Sequence, residues 1–264
     1  KVNAALAEQL RADLDLHLDT EVNLRDEHGR LVVEHGDGSL KVDKALVAVG
    51  RRPNIDGLNL EALDVPLDDS EQPAVDPTTL RIDDTPVYMA GDVDGRRPLL
   101  HEAADEGRIA GYNAVRPLAE EVRFCRRTPL TIVFSQPNVG LVGQACDQLD
   151  PAATVITEAD FSHQARAGMT GRNAGLLRLY SQPDNGQLLG AEMAIPDGEH
   201  MAHLLAWAVQ QELTVFDMLQ LPYYHPVTEE GMRSALREAA RQCHGQPGPA
   251  GLALCESASE DELM

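Results

Sequence analysis

Two unbroken apolar runs, each stopped by glycine and charge, constrain this chain most. Ala45-Leu46-Val47-Ala48-Val49 ends at Gly50-Arg51-Arg52-Pro53-Asn54, and Pro86-Val87-Tyr88-Met89-Ala90 ends at Gly91-Asp92. Runs without polar alternation predict strands buried on both faces, as in a parallel sheet covered by helices. A polar loop over 93–98 follows the second run, and then a helix from about Leu99 to Val115. Leu100, Ala103, Ala104, Gly107, Ala110, Gly111 and Ala114 recur in it at helical spacing, which predicts a small-residue face packed closely on a neighbour or a ligand.

Around these runs the pattern is readable in pieces. Residues 1–13 read as an amphipathic helix, and the alternation of Leu14, Leu16 and Leu18 predicts a strand within 14–24. Leu31–Glu34 turns through His35-Gly36-Asp37-Gly38 and returns through Leu40–Val42, a hairpin. Residues 55–86 are an Asp- and Pro-rich loop with a short strand at Thr79–Ile82, and 116–127 is a linker. Beyond it, strands are expected at 130–134, 139–142, 154–161, 176–180 and 188–195, with Pro183-Asp184-Asn185-Gly186 as a hairpin turn. Helices are expected at 199–211, 214–219 and 228–240, and 245–264 reads as a frayed tail.

Charge excludes some partners. The 264 residues carry 22 Lys+Arg against 43 Asp+Glu, a formal charge of −21. That field repels a nucleic-acid backbone or an anionic membrane surface, so neither is expected as a partner. The sequence has no apolar run of about 18 residues, so no membrane-crossing helix is expected. Cys125, Cys146, Cys243 and Cys255 have neither CxxC nor CxxxxC spacing and no metal-ligand spacing to histidine. They read as reduced thiols of a cytoplasmic protein, and no metal site is expected.

Three places are candidates for chemistry. Gly50 closes an apolar strand, where a glycine permits close backbone approach to a ligand, or simply a plain turn. Asp92 closes the other, where a carboxylate can accept hydrogen bonds from ligand hydroxyls or cap the next turn. The third is Tyr223-Tyr224-His225-Pro226-Val227-Thr228-Glu229-Glu230. Thr228 suits an N-cap and the two glutamates suit the first turn of a helix. Yet His225, held by Pro226 five residues before Glu230, could meet that carboxylate. A histidine so paired is fixed in tautomer and suits a thiol as base.

Taken together, ALVAVGRRPN (45–54), VYMAGDV (87–93) with LLHEAADEG (99–107), and YHPVTEE (224–230) resemble the pyridine nucleotide-disulfide oxidoreductases, and within them the dihydrolipoamide dehydrogenases. The separations fit too, about 35 residues from the first motif to the second and about 130 to the third. The resemblance covers roughly residues 1–242. It implies an α/β remnant of the NAD and FAD domains (1–53 and 54–118), then an α+β interface domain with an antiparallel sheet (125–242). Gly50 would lie where the NAD domain meets the cofactor cleft. Asp92 would bind the ribityl chain of FAD, and Leu99, Leu100 and His101 would line the flavin. His225 would be the acid–base catalyst of thiol–disulfide exchange and Glu230 its orienting carboxylate. The partners implied are a second copy, bound through 125–242, and dihydrolipoamide or another small dithiol or disulfide.

The chain also departs from that family. The glycine-rich fingerprints and the redox CxxxxC are not in this sequence, and Val227 stands where His-Pro is usually followed by Thr. With Lys1 opening inside a helix, a preceding segment is expected, and the chain alone is expected to be inactive. A glutathione-reductase-like enzyme and a non-catalytic dimerisation module remain the alternatives.

Overall fold

The computed structural model describes residues 1–36, 38–245 and 252. In chain order the elements are α1 (Val2–Leu10), β1 (Val22–Glu27), β2 (Arg30–His35), β3 (Gly38–Val42), α2 (Leu100–Ala114), β4 (Leu130–Val133), β5 (Asn138–Gly143), β6 (Val155–Asp160), α3 (Ala165–Met169), β7 (Leu176–Ser181), β8 (Leu188–Ile195), α4 (Gly198–Gln210), α5 (Val215–Gln220) and α6 (Glu230–Gln242). They fall into two units. One combines Lys1–Leu16 with Arg127–Met264, and the other is His17–Arg126. The tail expected at 245–264 falls, except for Gly245 and Leu252, outside the described residues.

The unit His17–Arg126 holds an antiparallel meander, β1-β2-β3. The expected hairpin forms, with His35 opposite Gly38 at its closing pair. The strand expected within 14–24 does not start until Val22, because Asp19 takes a left-handed conformation (φ 50°) that breaks the extended run. Ala45–Val49 forms no strand, and Leu46 and Val49 are 95% and 90% exposed. Apolar side chains alone do not make a strand. Its backbone groups need a ladder partner, and no described strand runs beside this one. Pro86–Ala90 is likewise reduced to a single bridge, Arg81 with Tyr88, although Met89 is buried with Ile55, Leu60 and Ile82.

Helix α2 forms where expected but buries a different face. Glu102, Glu106, Ile109 and Asn113 are buried, whereas Leu100, Ala104, Gly107, Gly111 and Ala114 are exposed. The buried stripe has helical spacing, i, i+4, i+7 and i+11. Its polar members are satisfied. The Asn113 amide donates to the carbonyls of Thr79 (3.3 Å) and Val122 (3.0 Å), and its oxygen accepts the Val122 N–H at 3.0 Å.

The other unit is built on a five-stranded antiparallel sheet, β4-β5-β8-β7-β6. All five expected strands and all three expected helices form within a few residues of their limits. α3 is an unexpected short addition. α4 packs on β5 and β8, α6 on β6 and β7, and α5 on α6. Leu177, Leu179, Met193, Met201, Leu205 and Leu236 form one core with at most 1% exposure. The β6 edge leads through Phe161 to α3, and the α5–α6 connection carries the His-Pro element.

Candidate functional site

In the sheet unit, the segment 221–229 between α5 and α6 is pinned from several directions. The Tyr223 hydroxyl donates to the Met218 carbonyl at 3.1 Å. Burial pushes that phenol up to about 12, against the pull of Arg233, so it stays protonated at neutral pH. Gln164, the N-cap of α3, donates to the Val227 carbonyl at 2.7 Å. Thr228 does not cap α6 through its side chain as expected. Its hydroxyl donates to Asp197 at 3.2 Å, a carboxylate also held by both terminal nitrogens of Arg172, while Glu229 takes the cap position.

This pinning brings His225 and Glu230 together. His225 Nδ1 lies 3.1 and 3.0 Å from the two Glu230 carboxylate oxygens, and the Val227 N–H also donates to Glu230 Oε2 at 3.3 Å. The His225 side chain is 74% exposed, the Glu230 side chain 26%. With Nδ1–H on the carboxylate, Nε2 is left to take or give a proton in the open. The hydrogen bond from His225 is the main reason the Glu230 carboxyl sits below the ordinary value of 4.5, and burial opposes it. A carboxyl depressed by folding adds stability above its unfolded pKa, and that stability is lost as pH falls through the folded value. Glu230→Gln is therefore expected to lower the thermal midpoint slightly at pH 7, and the gap to the unsubstituted chain should narrow at a pH below 4.5. Melting curves at both pH values check this.

Tyr223, Tyr224 and Val227 also line an apolar cleft of about 430 Å³ with Leu204, Trp207 and Met218. Among the described residues, no cluster of three His, Cys, Asp or Glu side chains could hold a metal ion, and no helix is long and apolar enough to cross a membrane. Cys125, Cys146 and Cys243 are free thiols, and Cys255 lies outside the described residues.

In the unit His17–Arg126, the two glycine-terminated motifs meet. Gly50 (φ 104°) and Gly91 (φ 87°) both adopt backbone conformations that favour glycine. Arg51 donates to Asp92 Oδ2 at 2.7 Å and to the Pro98 carbonyl at 2.7 Å. Arg51, Arg52, Pro53, Asn54, Asp92 and Pro98 line a cleft of about 300 Å³. Leu99 is the N-cap of α2 and makes no side-chain cap, so the first-turn N–H groups lack a capping acceptor, while Leu100 and His101 are exposed. The cleft offers the Asp92 carboxylate as acceptor and the Arg51 and Arg52 guanidinium groups as donors to a polar ligand.

Behind it sits a charge cluster that sequence reasoning missed. Arg126 donates to Glu102 at 2.5 Å and to Glu106 at 2.9 Å, and Arg97 reaches Glu102 at 3.3 Å. The signal available was the spacing of Glu102 and Glu106 with Ile109 on one helix face.

Two family profiles match this chain. The profile of the pyridine nucleotide-disulphide oxidoreductases matches residues 1–107, and that of their dimerisation domain matches residues 130–236. The chain is 30% identical over 247 residues to a dihydrolipoyl dehydrogenase of Haloferax volcanii, covering 91% of this chain and 50% of the relative. It is 28% identical over 216 residues to an NAD(P)H dehydrogenase (quinone) of Mycobacterium tuberculosis, covering 81% and 42%. Among solved structures, LpdA from Mycobacterium tuberculosis superposes with a TM-score of 0.75 at 27% identity, over 89% of this chain and 52% of that one. The chain thus spans about half the length of the curated relatives it matches.

Proposed function

Since this chain belongs to the pyridine nucleotide-disulphide oxidoreductases, close to the dihydrolipoyl dehydrogenases, we propose that it supplies the acid–base pair and the dimer interface of a dithiol:NAD(P) oxidoreductase, with dihydrolipoamide as the dithiol. The observation that carries this reading is His225 Nδ1 bonded to both oxygens of Glu230 with the rest of the imidazole exposed. His225 takes the substrate S–H proton on Nε2, and the thiolate left behind is the nucleophile toward a disulfide. Glu230 holds the tautomer and stabilises the imidazolium. Tyr223, kept protonated, adds no competing charge beside it.

The family implies FAD and a nicotinamide dinucleotide. The residues present fit one end of an FAD. Asp92 has an oxygen, Oδ1, without a protein donor among the described residues, and the uncapped start of α2 offers N–H groups. Asp92 would accept from ribityl hydroxyls, and Leu99, Leu100 and His101 would border the ring. Gly50 would border the nicotinamide side. Bound there, FAD supplies a two-electron acceptor between dithiol and nicotinamide. The exposed apolar residues Trp207, Leu204 and Tyr224 support a second copy docking through 125–242. Cys125, Cys146 and Cys243 form no disulfide with one another, which accords with the cytoplasm.

The test compares this chain with the complete reading frame that contains it. The longer protein is expected to carry a visible flavin band and to oxidise dihydrolipoamide with a nicotinamide dinucleotide, with NAD⁺ and NADP⁺ compared directly. This chain by itself should show neither. A flavin-loaded longer protein inactive with dihydrolipoamide, glutathione and related dithiols or disulfides, but active with quinones, would overturn the assignment.

A further inference from the structure

We propose that Glu106 is a positioning residue for the Asp92 cleft, setting from inside α2 the direction in which Asp92 presents its carboxylate. This rests on the reading of Asp92 as a flavin ligand. Glu106 is 1% exposed, and its Oε2 accepts the Gly91 N–H at 2.7 Å. Its Oε1 is neutralised by Arg126 at 2.9 Å, which makes a buried carboxylate tenable there. Gly91 has φ 87° and ψ −163°, a region that essentially only glycine enters. A glycine has weak local preferences, so the orientation of its peptide is fixed by what grips it. The grip here is a charge-assisted hydrogen bond on the residue immediately before Asp92. Downstream, the turn is held again: Asp94 accepts the Arg96 N–H at 3.0 Å and its guanidinium at 2.9 Å. Asp92 is therefore gripped on both sides while its own side chain faces Arg51.

The test uses Glu106→Ala and Glu106→Gln, with Asp92→Asn as the reference. In the complete reading frame, Glu106→Ala is expected to weaken FAD binding roughly tenfold, as loss of a charge-assisted bond would. Glu106→Gln should lose less than Ala, because its one amide oxygen can still accept the Gly91 N–H, although its NH2 then faces Arg126, which keeps only Glu102 as acceptor. In this chain, the Gly91 amide proton resonance should stay downfield with Glu or Gln and move upfield with Ala. FAD binding unchanged in Glu106→Ala would overturn the proposal, as would a Gly91 signal that does not move in Glu106→Ala. If Glu106→Ala does not fold, Glu106→Met, close in size but without an oxygen acceptor, takes its place: a Gly91 resonance moved upfield supports the grip, an unmoved one refutes it. Unchanged affinity in Asp92→Asn would remove the flavin reading instead, while the Gly91 signals would still report the grip.

Discussion

Replacing His225 with Gln in the complete reading frame is expected to lower turnover with dihydrolipoamide about 10²- to 10⁴-fold, the range ascribed to a positioned general acid or base. Gln keeps the approximate size, and the Val227 N–H still donates to Glu230 at 3.3 Å, so the loop should hold. What it cannot do is take a proton at neutral pH. The loss should fall on kcat and kcat/KM together, because proton removal stabilises the transition state and not the bound ground state. FAD content should not change, since Asp92 and the start of α2 lie in the other unit. Raising pH should recover part of the rate as the substrate thiol ionises without help. Steady-state kinetics from pH 6 to 10, with flavin absorbance as the loading control, measure all of this. Unaltered turnover would remove His225 from the chemistry.

The parts of the molecule that sequence made legible are those whose partners are local. β7 and β8 are joined by a six-residue connection and pair directly, so Leu176–Ser181 and Leu188–Ile195 supply each other's ladder. The His225–Glu230 pair was legible for the same reason: five residues, a proline and a helix start bring the groups together. Ala45–Val49 misleads because an unbroken apolar run encodes burial but not the neighbour that would provide it. Residues 14–21 mislead because alternation is a side-chain signal, and Asp19 breaks the backbone. On α2, counting apolar and small residues selected the exposed face. The buried one is anchored by Glu102, Glu106 and Asn113, whose partners Arg126, Gly91 and Val122 are 9 to 24 residues away. Arg51 reaches Asp92 across 41 residues, a pairing no local spacing encodes.

Phe161→Ala is expected to destabilise the sheet unit by about 3–5 kcal/mol, the usual cost of removing a buried phenylalanine. The ring is 0% exposed and closes the core where β6 ends. It also seats α6. A methyl group on Gly231 would stand 2.5 Å from Phe161 Cζ and 3.0 Å from both Cε atoms, so the first turn of α6 lies flush against the ring. Glu230 occupies that same turn. Loss of the ring therefore removes apolar contact and also the surface that fixes Glu230 beneath His225. At about 2–4 °C per kcal/mol for a unit of this size, the thermal midpoint should fall by roughly 10 °C. Gly231→Ala probes the same contact from the other side. Overpacking typically costs about 1–3 kcal/mol, less than the cavity, but it pushes the helix start outward. It should therefore disturb the His225 resonances more, for each kcal/mol lost, than a cavity deep in the sheet does. Urea unfolding with imidazole NMR separates the two effects. A Phe161→Ala chain within 1 kcal/mol of the unsubstituted one would mean that α6 is seated by the Met232, Leu236 and Ala239 face alone.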